Sequence, residues 1–480
     1  MSSRPDLDKV RARIRAVILD EYIPSIAVAV AHRGEIVWEE GFGWANIEER
    51  VPATANTLYS LASISKPITA TALMILVERG AIHLDRPMND YLGSQKLTAH
   101  IGSASEATVR RVANHSSGLP RHYRFFYEDE SIALPTMDQT ILRYGVLVRP
   151  PGESYDYSNL GYGLLEYAIE RLSGKSFAAF LRDEIFTPLD LTEGAVNRFP
   201  DFGNRLATRY RGTTAVPFYD FDHRGGSAVF MSAHDLVRFG IFHLHGALAG
   251  QHRAPLGLDS LRSMQVGAIA TSGSNPPDKQ RHGIGWAIGE SHGMARFGHT
   301  GGMAGVSTRL SLWPQADLVV TILANGEGDG VHALEAEIVH CFLPETIRVD
   351  HHFRPSAALV GEWRGAVKTL TGSVSIELDF RANGAIFARV GTSPSHEVSD
   401  VALDERSAVL TLGGILGEMP TPDTVRYPYE LQFSLKLRSP DVLNGSITAI
   451  SHPLPDRWGN ALSHWVELRK ITDDQNHGQQ

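Results

Sequence analysis

The 480-residue chain is poor in cysteine and contains no long apolar run. Its single cysteine, Cys341, excludes an intramolecular disulfide and a metal site built from several cysteines. The apolar helical pattern around Cys341 predicts a core residue rather than a catalytic thiol. No stretch reaches the roughly 18 consecutive apolar residues that a membrane-spanning helix needs. The sequence therefore predicts a protein without a membrane span.

A secretory signal and a strong net charge are also missing. Residues 1–22 carry charges throughout and contain no apolar segment of the signal-peptide kind. We therefore expect a cytoplasmic location, or a periplasmic or secreted one if a signal has been removed. The formal net charge of −9 is modest for this length and negative, so it does not favour a surface for nucleic acid or an anionic membrane.

The hydrophobic patterning divides the chain, and residues 1–348 read as one α+β domain. An amphipathic helix and two strands open this domain, and two strands and a helix close it. The middle of the domain is mostly helical. The predicted elements are a helix over 5–22, strands over 26–31 and 35–41, helices over 66–79, 162–172 and 234–243, strands over 306–313 and 318–324, and a helix over 331–342. This order predicts one antiparallel sheet built from both ends, with helices on both faces and a helical insertion.

The composition changes after this domain. Residues 349–357 predict a linker, residues 358–471 a small antiparallel barrel, and residues 472–480 a disordered tail. The barrel prediction rests on short alternating segments separated by turn residues. These segments are 374–378, 385–390, 408–412, 431–437, 446–450 and 463–468.

The first candidate for chemistry is a Ser-x-x-Lys motif at Ser63 and Lys66. A serine hydroxyl becomes a good nucleophile only when a base takes its proton. Residues three apart on a helix share a face, so the Lys66 amine can reach Ser63, and burial could lower its pKa enough for a base. The alternative is a polar helix start with Ser63 as N-cap. Among all the lysines, only Lys66 has a serine three residues before it.

The second candidate is Tyr157-Ser158-Asn159, between a loop rich in Pro and Gly and an apolar helix. A phenol on such a loop can face the serine and pass a proton to a leaving group. The Asn159 amide offers a partner for a substrate carbonyl. The alternative is a packed aromatic loop in which the asparagine caps the following helix.

The third candidate is His299-Thr300-Gly301-Gly302, just before the predicted strand over 306–313. Glycines let a substrate backbone approach a strand edge closely, and a backbone N–H can complete an oxyanion hole. The imidazole can bind a carboxylate or relay a proton. A plain β-turn is the alternative, because His-x-Gly occurs elsewhere in this chain.

In order and spacing, the three motifs resemble those of the serine β-lactamase and DD-peptidase superfamily. The resemblance is greatest to the branch with class C β-lactamases, DD-carboxypeptidases, D-aminopeptidases and related esterases. It covers about residues 10–345. Further stretches similar to this family are His115-Ser116-Ser117-Gly118-Leu119-Pro120, Gly225-Gly226-Ser227, Ser232-Ala233-His234-Asp235-Leu236 and Ile284-Gly285-Trp286.

The resemblance implies a serine hydrolase that forms an acyl-enzyme on Ser63. It implies that Lys66 and Tyr157 share the proton transfers, and that the backbone N–H groups of Ser63 and Gly302 form the oxyanion hole. Asn159 would hold the amide side chain of the substrate. The substrate-binding residues implied in this way are Asn159, His299, Thr300 and Gly301.

The third motif departs from that of class C β-lactamases, which usually carry lysine where this chain has His299. A histidine there is similar to D-aminopeptidases and some DD-peptidases, and supplies less positive charge at neutral pH. We therefore expect a weak hold on a β-lactam carboxylate and a titration of His299 near pH 6–7. The resemblance favours D-aminopeptidase- or DD-peptidase-like hydrolysis of small peptides. The alternatives are a carboxylesterase, a weak β-lactamase and a penicillin-binding module with slow turnover.

Short motifs and ligand spacing predict the kind of barrel, the cofactors and the partners. Gly361-Glu362-Trp363 resembles the opening of lipocalin-like barrels, which in some peptidases of this superfamily sit beside the active site and select substrates. A different barrel used only for assembly is the alternative. No cofactor and no metal are predicted, because no His-Glu-x-x-His spacing occurs and His351-His352 lies in the linker. The expected partner is a small peptide, amide or ester substrate, without nucleic acid, and a homo-oligomer is left open.

Overall fold

The computed structural model of this protein describes most of the chain. The described residues are 7–192, 194–197, 200–251, 253–271, 280–291, 294–342, 357–369, 372–381, 384–398, 400–404, 409–419, 429–451 and 459–471. Within these ranges, no helix combines the length and the apolar character needed to cross a membrane.

The helices and strands alternate in the first two thirds of the chain, and strands alone follow. The α-helices of the described residues are α1 Asp8–Asp20, α2 Ser65–Glu78, α3 Val109–Ala113, α4 Met137–Tyr144, α5 Asn159–Ser173, α6 Phe177–Leu181, α7 Arg224–Ser227, α8 Ala233–His245, α9 Leu258–Met264 and α10 Asp329–His340. The strands up to residue 324 are β1 Ser25–His32, β2 Glu35–Asn46, β3 Val51–Pro52, β4 Tyr59–Ser60, β5 Thr98–Ala99, β6 Phe125–Tyr127, β7 Val146–Leu147, β8 Gly194–Val196, β9 Tyr210–Arg211, β10 Thr214–Ala215, β11 Tyr219–Phe221, β12 Val229–Met231, β13 Ile269–Ala270, β14 Arg281–His282, β15 Ala287–Ser291, β16 Met294–Met303, β17 Val306–Trp313 and β18 Leu318–Ala324. The later strands are β19 Gly361–Thr369, β20 Gly372–Phe380, β21 Ile386–Val390, β22 His396–Glu397, β23 Asp400–Asp404, β24 Val409–Ile415, β25 Tyr429–Ser439, β26 Val442–Ser451 and β27 Ala461–Lys470.

The main sheet joins the two ends of the first domain. Its strand order is β13-β14-β15-β16-β17-β18-β1-β2-β3, and β1 pairs antiparallel with β18, with Ile26 opposite Ala324. The helices α2 to α9 lie in the chain between these two strands. The predicted antiparallel sheet with a helical insertion is therefore confirmed.

Strand β1 shows why helices cover both faces of this sheet. Its side chains alternate between the faces, as in any strand. Ile26, Val28 and Val30 pack into one core with residues of α1 and α10, whereas Ala27 and Ala29 belong to the core that contains α2, α5 and α8. The small alanines leave room for α8, where Gly240 also faces the side chain of a β18 valine. This second core is the larger one, and it supports the candidate site.

Helix α2 is the central element of that larger core. Every residue from Ser65 to Leu76 is buried, so the helix has no solvent-facing side over that length. Pro67 lies in the first turn, where the missing N–H costs no intrahelical bond. The helix therefore holds its first residues rigidly within the protein.

The C-terminal strands form a nearly closed antiparallel barrel, as predicted. The order is β22-β21-β20-β19-β27-β26-β25-β24-β23, so the first strand pairs with the last and the opening lies between β22 and β23. Trp363 of β19 is fully buried in the barrel core, and its indole N–H donates to the Leu359 carbonyl at 2.9 Å. The predicted boundaries at 349–357 and 472–480 stay predictions, because residues 343–356 and 472–480 lie outside the described residues.

Several local predictions need correction or addition. The segment with His299 is not a turn before β17 but part of the ten-residue strand β16. Sequence patterning missed β16 because its glycines and mixed polarity hide the alternation. Cys341 follows α10 and is partly exposed rather than fully buried, although it packs against the apolar core beneath α1 and α10.

Candidate active site

Ser63 lies in a short 3₁₀ turn, Ala62–Ile64, that leads into α2. Ala62 has a positive φ of 48°, so the chain bends sharply just before the serine. The turn is fixed from both sides, because Leu61 donates to the Val229 carbonyl at 2.9 Å and accepts from Thr308 Oγ1 at 2.9 Å. Ile64 rather than Ser63 occupies the N-cap position of α2. The N-cap alternative for Ser63 is therefore wrong.

The Lys66 amine lies 3.1 Å from Ser63 Oγ. The same nitrogen is 2.7 Å from Asn159 Oδ1 and 2.9 Å from the Gly226 carbonyl oxygen. Lys66 is fully buried, and burial lowers its pKa well below the ordinary value because a buried ammonium loses its hydration. A neutral amine has two N–H groups and one lone pair. The two carbonyl oxygens can take both hydrogens, which leaves the lone pair for the Ser63 hydroxyl.

Tyr157 approaches the same hydroxyl from a loop. Its phenol hydrogen-bonds to Ser63, and its ring centroid lies 4.7 Å from Lys66 Nζ. The residues on either side of Tyr157 are tied to His115: Asp156 N–H donates to the His115 carbonyl at 2.7 Å, and Ser158 N–H donates to His115 Nδ1 at 3.2 Å. Burial raises the pKa of the phenol, although the bond with Ser63 opposes this, so Tyr157 holds its proton at neutral pH.

Asn159 is the first residue of α5, and Ser158 is the N-cap, with its hydroxyl accepting from Gly161 N–H at 3.3 Å. The alternative in which Asn159 caps this helix is therefore wrong. Its carbonyl oxygen faces Lys66 instead, and the residue is 8% exposed. The amide nitrogen stays available for a ligand in the cleft.

The third motif runs along one edge of the site. Strand β15 pairs with β16 only as far as Gly298, whereas β17 pairs with β16 from Phe297 to Met303. Residues 299–303 therefore keep one unpaired strand edge within the described structure. A Cβ on Gly301 would lie 2.3 Å from the Leu61 carbonyl oxygen, so a glycine is needed for β16 to pack against the serine turn. A Cβ on Gly302 would meet nothing within 4 Å, which leaves open space beside its backbone.

Three imidazoles, those of His115, His282 and His299, lie close together beside Tyr157. The sequence motifs did not include His282. The ring centroid of His282 lies 4.8 Å from that of His115 and 6.1 Å from that of His299. Burial lowers the pKa of all three rings, to about 4 for His282. Burial thus favours the neutral form of all three rings near pH 7, which argues against the expected titration of His299 near pH 6–7. Only the nearness of His282 to Gly285-Trp286 in the chain could have pointed to it.

The Gly225-Gly226 turn is a second feature that the motifs left without a role. The Gly226 carbonyl binds Lys66, and the Gly225 carbonyl accepts from Thr69 Oγ1 at 2.6 Å. Glu166 of α5 accepts from Gly225 N–H at 2.7 Å. This carboxyl group is buried, and burial raises its pKa to about 8. Glu166 is therefore mostly protonated at neutral pH, and it fixes the turn that binds the lysine.

One group of side chains has the donor atoms of a metal site. His122, Asp222 and His223 are buried, and one ligand atom of each lies within 4.8 Å of the others. However, His122 Nε2 is 3.0 Å from Asp222 Oδ2, and His223 Nδ1 is 2.8 Å from Asp222 Oδ1. These bonds satisfy the carboxylate without a metal ion. The group ties the loop after Pro120 to the Gly225-Gly226 turn.

Comparison with known proteins gives a consistent result over most of the chain. A family model described as Beta-lactamase matches residues 10–340. Penicillin-binding protein 4* from Bacillus subtilis (strain 168) is 32% identical over 176 residues, which are 35% of this chain and only 37% of that protein. D-aminopeptidase from Brucella anthropi is 25% identical over 451 residues, which are 90% of this chain and 80% of that protein.

A solved structure extends the likeness to the barrel. The crystal structure of SurE with D-Leu superposes with a TM-score of 0.64, covering 95% of this chain and 99% of that chain. The sequence identity is 20%, so this likeness shows a shared fold. The C-terminal barrel therefore belongs to an arrangement found in more than one protein.

Proposed function

Because the chain belongs to the beta-lactamase family of serine hydrolases, we propose that it hydrolyses small peptides or amides through an acyl-enzyme on Ser63. The observation that carries this proposal is the contact of Ser63 Oγ with both the Lys66 amine, at 3.1 Å, and the Tyr157 phenol. The two contacts give one hydroxyl a base and an acid.

Lys66 is the first base in this mechanism. Its lone pair takes the Ser63 proton while Ser63 Oγ forms a bond to the substrate carbonyl carbon. The backbone N–H groups of Ser63 and Gly302 then donate to the oxyanion. Tyr157 gives its proton to the leaving nitrogen as the C–N bond breaks, and the ammonium of the neighbouring Lys66 returns its proton to the Tyr157 phenolate. Water attacks the resulting ester and releases the acid product.

The free edge of β16 is the proposed substrate platform. An extended substrate can pair with the backbone at residues 299–303, as an added strand does at a sheet edge. His299, Thr300 and Gly301 line this edge, and the Asn159 amide nitrogen donates to a substrate carbonyl. His299 is neutral, so it supplies a hydrogen-bond partner rather than a fixed charge. Efficient β-lactamase activity, which needs a firm hold on a carboxylate, is therefore not expected.

The substrate class is proposed from the relatives together with this site. D-aminopeptidase is a relative over 90% of this chain, and SurE, which shares the fold, has been solved with D-leucine. Both support a substrate with a D-configured residue. A carboxylesterase is the second candidate, because the leaving group of an ester departs more readily than that of an amide and depends less on protonation by Tyr157.

A matched panel of chromogenic substrates tests the proposal. We would compare D-alanine p-nitroanilide, L-alanine p-nitroanilide, p-nitrophenyl butyrate and nitrocefin, with Ser63→Ala as the control. Release from the D-anilide that Ser63→Ala abolishes supports the D-aminopeptidase-like proposal. Release from the ester alone indicates an esterase. If none is turned over but a β-lactam adduct on Ser63 persists for hours, the protein is a penicillin-binding module and the proposal is wrong.

A further inference from the structure

The barrel contacts the catalytic domain through β25 and β27, the two strands on either side of β26. In β25, Leu431, Phe433 and Leu435 point into the barrel core. The side chains that alternate with them point outward, as the period of a strand requires. The outward row contains Ser434, Lys436 and Arg438.

That outward row meets the loop that carries Tyr157. Glu153 of the loop forms ion pairs with both Lys436 and Arg438. The two cationic side chains are only 18% and 17% exposed, and Glu153 is 23% exposed, so these pairs are largely shielded from solvent. Burial opposes ionisation of Glu153, but the hydrogen bonds from Arg438 and Lys436 outweigh it and hold the pKa of this carboxyl below its usual value.

A second connection is made by Arg149, six residues before Tyr155 in the same loop. Arg149 is 1% exposed, and its Nη2 donates to Ser434 Oγ at 2.6 Å. Its Nε binds Asp156, the residue directly before Tyr157. The barrel therefore reaches the neighbour of Tyr157 through one buried guanidinium.

The barrel also contacts the loop between α3 and β6, residues 114–124, which is hydrogen-bonded to the Tyr157 loop. Tyr123 and Ala461 of β27 exchange two backbone hydrogen bonds, of 3.1 Å and 3.0 Å. Ser463 Oγ donates to the Arg121 carbonyl at 2.5 Å. This 114–124 loop in turn binds the Tyr157 loop, because Gly152 N–H donates to the Ser116 carbonyl at 2.6 Å.

We propose that the barrel positions the Tyr157 loop for catalysis through the ion pairs of Glu153 with Lys436 and Arg438 and through the Arg149 bond to Ser434. Neither cation of β25 touches substrate in this proposal, so both are positioning residues. The inference rests on the proposed function, because it gives the barrel a task in the Ser63 reaction. It differs from a barrel that merely selects substrates. A misplaced phenol slows the chemical step for every substrate, whereas lost selection changes the ranking of substrates.

A charge reversal with rescue tests this proposal. Arg438→Glu places like charges opposite Glu153, and the double variant Glu153→Gln with Arg438→Glu removes this repulsion, because the introduced amide can accept a hydrogen bond from Lys436 and donate one to the introduced carboxylate. Arg389→Glu is the matched control, because Arg389 pairs with Glu377 wholly within the barrel. We expect Arg438→Glu to lower kcat for each hydrolysed substrate by at least about tenfold with KM nearly unchanged. The double variant should recover most of kcat, and Arg389→Glu should match wild type.

A second readout does not depend on turnover. Hydrogen exchange of the Gly152 and Asp156 amides reports whether the Tyr157 loop stays bound to the 114–124 loop, because these amides donate to Ser116 and His115. Both amides should exchange faster in Arg438→Glu and return towards wild type in the double variant, while thermal melting shows that each variant is folded. Unchanged kcat, or exchange in Arg438→Glu equal to that in Arg389→Glu, overturns the inference. If wild type hydrolyses nothing, the proposed function fails, and the exchange data alone decide whether the barrel positions the loop.

Discussion

Lys66 Nζ lies 2.7 Å from Asn159 Oδ1, which joins two side chains that are 93 residues apart in the chain. Together with the Gly226 carbonyl at 2.9 Å, the asparagine gives the amine two acceptors that carry no full charge. A buried ammonium normally requires a carboxylate partner. The arrangement therefore favours the neutral amine, which is the form that can take the Ser63 proton.

The neutral amine leads to a prediction for Lys66→Met. This variant keeps the apolar stem but removes the base, so we expect kcat to fall by about 10²–10⁴-fold on the substrate that wild type hydrolyses. Mass spectrometry after mixing with a β-lactam or an activated ester should show slow or no acylation of Ser63. Lys66→Met that acylates at the wild-type rate would exclude Lys66 as the base.

Asn159→Asp should move the pH dependence of the reaction. An ionised carboxylate at the position of Oδ1 would stabilise the ammonium and raise the pKa of Lys66. Because the neutral amine is the active form, the acid limb of kcat/KM should move to higher pH, by about 1–3 units. Asn159→Leu is the control: it removes the acceptor without adding charge, so it should lower the rate without that upward shift.

The region between pH 6 and 7 should contain no titration of His299. Burial lowers the pKa of His299 well below its ordinary value, so the ring is already neutral at pH 6. A kcat/KM profile of wild type and His299→Gln should therefore have the same shape between pH 6 and 8, even if the rates differ. A step near pH 6.5 that disappears in His299→Gln would contradict this expectation.

His243 should make the protein less stable at acid pH. It is buried beside Thr71, with Nε2 3.0 Å from the hydroxyl, and burial lowers its pKa to about 3. The unfolded chain binds a proton here near pH 6.5, while the folded protein does not. Its contribution to stability is therefore complete above about pH 6.5 and is lost by about 1.4 kcal/mol per unit as the pH falls towards 4. Urea unfolding of His243→Gln should show a shallower slope in this range, with exposed His83→Gln as the matched control.

Glu166 should have the opposite effect on the pH dependence of stability. Its folded pKa is raised to about 8 by burial, so the folded protein retains a proton that the unfolded chain releases near pH 4.5. The free energy of unfolding therefore falls as the pH rises from 4.5 to 8. Glu166→Gln keeps an acceptor for Gly225 N–H and removes the ionisable group, so at pH 8 it should be more stable than wild type by about 1–3 kcal/mol. Equal stability of the two proteins from pH 5 to 8 would show that Glu166 ionises freely.

Local sequence patterns were sufficient for the strands at both ends of the first domain and for most of the motifs, although not for β16. The strands predicted over 306–313 and 318–324 have those bounds in the structure, and the predicted sheet built from both ends of the first domain is confirmed. The offset of three residues from Ser63 to Lys66 is a local property of a helical turn, so the sequence already predicted their contact.

Tertiary structure alone decided what these residues can do. Whether Ser63 is a cap or faces Lys66, and whether His299 lies on a turn or on an open strand edge, depends on pairing with distant segments. The lowered pKa of Lys66 and of the imidazoles comes from burial, which no local pattern reports. The contact between the barrel and the Tyr157 loop was equally hidden: Glu153 and Arg438 are 285 residues apart, and only the packing of the barrel against this loop brings the two charges together.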